Sequence, residues 1–172
     1  MMKKRGYWIG AVILAAAVVF CLFYTRPFTL AQRFPYLDFS QCAEIRGYYS
    51  EYPETDNVPV VISRGSAAFD ELTGIMQSTK FRTRLINLLP QGTKTHQSKD
   101  GDFRWELELY FDKADLPDGS TVSGVLLSMQ DFYGDLSFSA DGKITSCTAE
   151  EKEQWIGRIR DIIVPEIRGD GP

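Results

Sequence analysis

The sequence predicts an α+β protein in which an N-terminal transmembrane helix precedes one domain. That domain is a mainly antiparallel sheet of five or six strands, covered on one face by two helices. Three observations carry this reading. Residues 6–25 form a run of 20 with no charged side chain, and 17 of them are apolar. Phe103 to Asp112 alternates apolar and polar residues, the two-residue period of a half-buried strand. Two stretches, Ala68 to Met76 and Trp155 to Ile163, place apolar residues at i, i+1, i+4, i+7 and i+8, which is one face of a helix.

The N-terminal run comes first. Twenty residues at a rise of about 1.5 Å span about 30 Å, the hydrocarbon thickness of a bilayer, whereas a secretory apolar core needs only about 7–15 residues. Tyr7, Trp8 and Tyr24 stand at its ends, where aromatic rings favour the interface. Residues 1–5, with Lys3, Lys4 and Arg5, form a basic tail, and only Arg26 and Arg33 flank the other end. The positive-inside rule therefore places the tail in the cytoplasm and the domain outside the cell membrane. The bilayer is then a partner through residues 6–25. An alternative is a secreted product cleaved after Ala31, since Thr29-Leu30-Ala31 fits a small-residue cleavage site; the length of the run favours a retained anchor. A lipoprotein reading through Cys21 is opposed by the bulk of Phe20.

Residues 26–41 have no clear period and contain Pro27 and Pro35, so they read as a tether, with the domain at 42–167 and a flexible tail at 168–172. Ala43 to Ser50 and Val58 to Ser63 read as strands, the second an edge strand because of Pro59. Ser66 caps the first helix, with Asp70 and Glu71 near its positive end. Lys80 to Leu89 continues that helix or starts a loop. Beyond Phe103 to Asp112, Thr121 to Met129 is a further strand. Leu136 to Ala140 turns through Asp141-Gly142 into Lys143 to Cys147, pairing Ala140 with Lys143, Phe138 with Thr145 and Leu136 with Cys147. Thr148 and Glu151 form a capping box for the last helix, which Pro165 ends.

Charge divides the chain. The formal net charge is −4, but residues 32–172 hold 15 basic and 23 acidic side chains, net −8. This opposes nucleic-acid binding and adsorption to anionic lipid, which need a basic face. Within that acidic domain no acid falls between Glu71 and Asp100, while Lys80, Arg82, Arg84, Lys94 and Lys99 supply five positive charges. These five are candidates for binding an anionic polymer or an acidic envelope protein, against the plainer reading of a solvated helix end and loop.

Sites for chemistry are sparse, and no cofactor or metal is expected. His96 is the sole histidine and lies in a polar loop, so a multi-histidine zinc site is excluded. Glu106 and Glu108 share the outer face of one strand beside Arg104 and Tyr110. Two carboxylates about 6–7 Å apart are raw material for glycoside hydrolysis, although strand alternation yields such pairs on any solvated sheet face. Asp112, Asp115 and Asp118 surround a turn without the ligand spacing of a calcium loop. Cys42 and Cys147, the cysteines outside the apolar run, are a candidate disulfide outside the cytoplasm, with two buried thiols as the alternative. Tyr48, Tyr49, Tyr52, Phe132 and Tyr133 are candidates for an aromatic contact surface, or for core. Arg168-Gly169-Asp170, in the tail, is too short a motif to carry adhesion.

The function expected is a binding or accessory module of the cell envelope. The alternatives are a small tethered or secreted hydrolase using Glu106 and Glu108, with His96 a weaker catalytic candidate, and a structural partner of a membrane complex that makes contact through its helix.

Overall fold

The computed structural model describes residues 2–51, 57–85, 103–116, 118–132, 135–140 and 142–168. Helix α1 (Met2–Tyr24) is long and apolar enough to cross a membrane over Tyr7–Tyr24, and none of that window is buried against protein.

The domain is an antiparallel sheet packed on helices, as expected, but it has seven strands. They are β1 (Cys42–Glu51), β2 (Val58–Ser63), β3 (Phe81–Thr83), β4 (Phe103–Asp115), β5 (Thr121–Phe132), β6 (Asp135–Ala140) and β7 (Lys143–Ala149), in the order β2-β1-β4-β5-β6-β7-β3. The extra strand is β3, which lies where a helix continuation or a loop was the expectation. Three residues are too few to show a period, and β3 exists because Phe81 pairs with Ala149 and Thr83 with Cys147, both distant in sequence. The last hairpin has the expected register, Ala140 to Lys143, Phe138 to Thr145 and Leu136 to Cys147, with Gly142 at φ +68°.

The inner face follows strand parity: Ile45, Gly47 and Tyr49 on β1, Trp105, Leu107, Leu109 and Phe111 on β4, Leu127 and Met129 on β5, and Leu136 and Phe138 on β6 are buried. A bulge at Ala43 shifts the parity of β1, so that Cys42 faces inward as well. Gly47 is required where it stands, because a Cβ there would collide with the Glu106 carbonyl oxygen and Leu107 of β4.

The helices depart from the expected layer. Helix α3 (Ala67–Ser78) starts as anticipated, the Ser66 hydroxyl accepting from the Phe69 N–H at 3.1 Å, and it buries Phe69, Leu72, Ile75 and Met76. It packs on α4 and on edge strand β2 rather than across the sheet. Helix α4 (Lys152–Arg168) begins beside β7 and reaches β2. Five strand spacings of about 4.8 Å come to about 24 Å, close to the length of 17 residues at about 1.5 Å each. Helix α4 therefore runs across the strands, burying Trp155, Ile156, Ile159, Ile162 and Ile163. Two details of the predicted ends are corrected. Thr148 belongs to β7, and Glu151 sits at φ +53° immediately before the helix, so the capping box does not form. Pro165 lies inside the final turns, where the helix continues to Arg168 despite the lost N–H.

Residues 26–41, expected as a tether, contribute to the core instead. Leu30, Phe34, Leu37 and Phe39 are all buried, held by α2 (Leu30–Arg33) and a short 3₁₀ turn at Phe39–Gln41. Thr29 and Gln32 form a reciprocal capping box on α2. Arg64 ties the segment down, donating through Nε to the Cys42 carbonyl at 2.7 Å and through Nη2 to the Ser40 carbonyl at 3.1 Å. Phe28 exchanges two backbone hydrogen bonds of 2.8 Å with Phe81, so the chain just after α1 caps the outer edge of β3.

Candidate functional site

Helices α3 and α4 pack on the buried side of the sheet, which leaves its outer face open where it is described. Alternation brings Glu44, Arg46 and Tyr48 of β1 opposite Tyr110, Glu108 and Glu106 of β4, in that order. The Arg46 guanidinium lies 4.8 Å from the centre of the Tyr110 ring and also bonds Glu44. Tyr110 donates its hydroxyl to Glu108 at 3.2 Å. Partial burial of the ring, then the Glu108 charge beside it, raise the Tyr110 hydroxyl above its ordinary pKa. Tyr48 is 53% exposed, and Val61, opposite Arg46 on β2, is 56% exposed. On the strands beyond β5 the described outward residues include hydroxyl pairs, Ser128 with Ser139 and Ser137 with Ser146, and the charged Arg82 of β3 opposite Thr148 at the far edge. Alternation thus builds a surface that is ionic and aromatic over β1 and β4 and hydroxylic over β5 to β7.

Glu106 and Glu108 therefore lie on an open sheet face. Neither lines a described cavity. The cavity of about 600 Å³ lies between residues 31–40 and α3, lined in part by Leu37, Asp38, Arg64, Asp70 and Gln77. A smaller groove of about 250 Å³ separates α3 from α4, with Glu71, Asp161 and Glu166 at its rim. His96, Lys94 and Lys99 lie outside the described residues, as do Tyr52, Tyr133, Gly169 and Asp170. Asp112 pairs with Arg64 at 3.1 Å, Asp115 accepts from Thr121 at 3.0 Å, and Asp118 accepts from the Ser120 N–H and hydroxyl, so each serves pairing or turn chemistry.

The basic stretch is only partly free. Arg82 donates to Glu150 through Nε at 3.1 Å and Nη2 at 2.8 Å, and Arg84 is also engaged. Lys80 is exposed and meets no carboxylate among the described residues.

Cys42 and Cys147 are both fully buried free thiols, and the candidate disulfide is corrected. Their strands stand four positions apart in the sheet, about 19 Å measured across the strands, whereas a bridge needs Cα atoms within about 7 Å. Burial pushes the Cys147 thiol from its ordinary 9.0 up to about 12 and that of Cys42 up to about 11. Both thiols are thus expected to resist an alkylating reagent in the folded protein and to react on unfolding. Below pH 9 folded and unfolded chains both keep these protons. Above it the unfolded chain releases them first, so stability falls as pH rises from about 9 toward 12. Alkaline denaturation curves check this, and Cys147→Ala should flatten the fall.

Sequence reasoning missed one cluster. Glu51 keeps the inward parity of Tyr49, so a carboxylate sits at the core's rim and needs a partner. Tyr49 donates to it at 3.0 Å, and Arg160 of α4 donates to it at 3.2 Å. Burial, then the bond to Glu51, raise the Tyr49 hydroxyl above its ordinary pKa. Within the same core Trp105 and Trp155 pack at 5.7 Å, and their buried indole N–H groups meet no acceptor among the described residues. The one signal in the sequence was an inward-facing charge at a strand end. Its partner, 109 residues away, shows only in the fold.

No known protein family, curated protein or solved structure matches the chain.

Proposed function

We propose that the chain is a single-pass membrane protein whose domain stands outside the cytoplasm, on the side opposite Lys3, Lys4 and Arg5, and works as a binding or accessory module of the cell envelope. The joint between anchor and domain carries the anchored part of this reading. Six residues after α1 ends, Leu30 is already fully buried in the core, and Phe28 is paired with Phe81. Cleavage after Ala31 would remove both from the domain, and the loss of a buried leucine alone costs about 3–5 kcal/mol in other proteins. A domain whose core begins upstream of the cleavage site favours retention of the helix.

The binding part rests on the open sheet face. Exposed tyrosine and arginine set in a rigid sheet give large contact area at small entropic cost, and these residue types dominate measured hot spots. The hydrolase alternative would need Glu106 and Glu108 set in a cleft, and they lie on the open face instead. The test is crosslinking and pull-down of the full-length protein from its native membrane, wild type against Arg46→Ala/Tyr48→Ala. Loss of two hot-spot side chains should weaken recovery of a partner by about thirtyfold or more, equivalent to about 2 kcal/mol. A partner set unaltered by the double substitution contradicts this face as the binding surface.

A further inference from the structure

The bridge between Phe28 and Phe81 places the basic strand beside the point where the chain leaves the membrane, although the two are more than fifty residues apart in sequence. Three residues lie between Tyr24, the last residue of α1, and Phe28, so the two are four chain steps apart, a span of at most about 14 Å. The polar layer on each side of a bilayer is about 5–8 Å thick. Lys80 and Arg82 flank Phe81 directly, and Arg26 lies within the connecting residues. Arg33, at the end of α2, is exposed and sits with its guanidinium 5.9 Å from the Phe28 ring. Arg26, Arg33, Lys80 and Arg82 are thus carried on the two segments that meet at the β3 edge, with Glu150 offsetting the charge of Arg82. Leu85, two residues past the end of β3, is 44% exposed. Cations with an adjacent exposed apolar side chain make up an interfacial surface, the charges meeting headgroups and the apolar group entering the boundary.

We propose that this edge docks on anionic lipid headgroups and so fixes the orientation of the domain against the bilayer. The proposal rests on α1 spanning the membrane. The domain's net charge of −8 opposes adsorption when it is free. Once anchored, the domain has no association to make, and the charge within a Debye length of the surface, about 8–10 Å, decides how it sits. Each unpaired cation at an anionic surface raises the docked population about fivefold, the equivalent of about 1 kcal/mol.

The test reconstitutes the full chain, carrying Leu85→Cys in a Cys21→Ala background with an environment-sensitive fluorophore on the new thiol. The host vesicles are either phosphatidylcholine alone or phosphatidylcholine with roughly a third phosphatidylglycerol. Quenching of the label by headgroup-attached nitroxide should be strong in the anionic vesicles and weak in the neutral ones. It should fall at about 1 M salt, where the Debye length is about 3 Å. Arg33→Gln with Lys80→Gln, both exposed positions, should reduce it about tenfold or more in docked-to-undocked ratio. Retention after an alkaline wash, measured on the same samples, reports the anchor separately. Protein that is retained but whose label ignores lipid charge and salt overturns the docking. Protein that washes off overturns the anchor on which it rests.

Discussion

Phe81→Ala is expected to destabilise the domain by about 3–5 kcal/mol, the range for deleting a buried aromatic ring. Phe81 is fully buried, and its ring centre lies 4.7 Å from that of Phe138, 5.9 Å from Trp155 and 6.2 Å from Phe28. It is therefore the place where edge strand β3, hairpin β6–β7, helix α4 and the chain following α1 meet. Removing the ring leaves a cavity whose walls belong to four separate elements, which limits how far any one of them can collapse to fill it. For a domain of ordinary stability, about 5–15 kcal/mol, this is a large share of the total. Denaturant unfolding of the detergent-solubilised full chain reads it. The half-buried Phe28 is the internal comparison, since Phe28→Ala should cost distinctly less. Equal costs at the two positions would mean that Phe81 is not the junction described.

Leu14→Arg acts on the other half of the molecule. Leu14 lies near the middle of the apolar window of α1 and is 67% exposed, with no protein packed on that window to shelter a charge. At a helix centre leucine favours insertion by about 0.3–0.6 kcal/mol, and arginine opposes it by about 2.5–3.5 kcal/mol. The difference, about 3–4 kcal/mol, is a factor of about 10²–10³ in the inserted-to-uninserted ratio. Most of the variant should therefore leave the membrane pellet on alkaline extraction, while Tyr7→Lys, at the interface, should stay in it. Folding of the domain should be unchanged in both, because α1 contributes nothing to its core.

These two substitutions mark where the sequence could and could not be read. The apolar run of α1, the alternation of β4 and the Asp-Gly hairpin were legible because each declares itself within a dozen residues. The hairpin register followed from a two-residue loop alone. Strand β3 was hidden because its pairing depends on β7 and its inward side chain is a single residue. The core role of Leu30, Phe34, Leu37 and Phe39 was hidden for a related reason. Leu30, Phe34 and Leu37 do follow the i, i+4, i+7 spacing of a helix face, but Pro35 interrupts the stretch and Phe39 departs from the period, since the segment is a single helical turn, a bend and a 3₁₀ turn. The Tyr49, Glu51 and Arg160 cluster needed the path of α4 across the sheet. At the outer face, alternation correctly put Glu106, Glu108 and Tyr110 together, but only the register with β1 brought Arg46 onto Tyr110 and Tyr48 opposite Glu106.

Protease treatment of sealed, right-side-out membrane vesicles holding the full-length protein, followed by intact-mass analysis, tests the anchored, outward-facing domain most directly. The untreated protein should have the full 19.5 kDa mass and sediment with the membrane, and external protease should digest the domain while leaving the apolar helix protected. A soluble product starting at Gln32, or a domain shielded until the vesicles are opened, would contradict it.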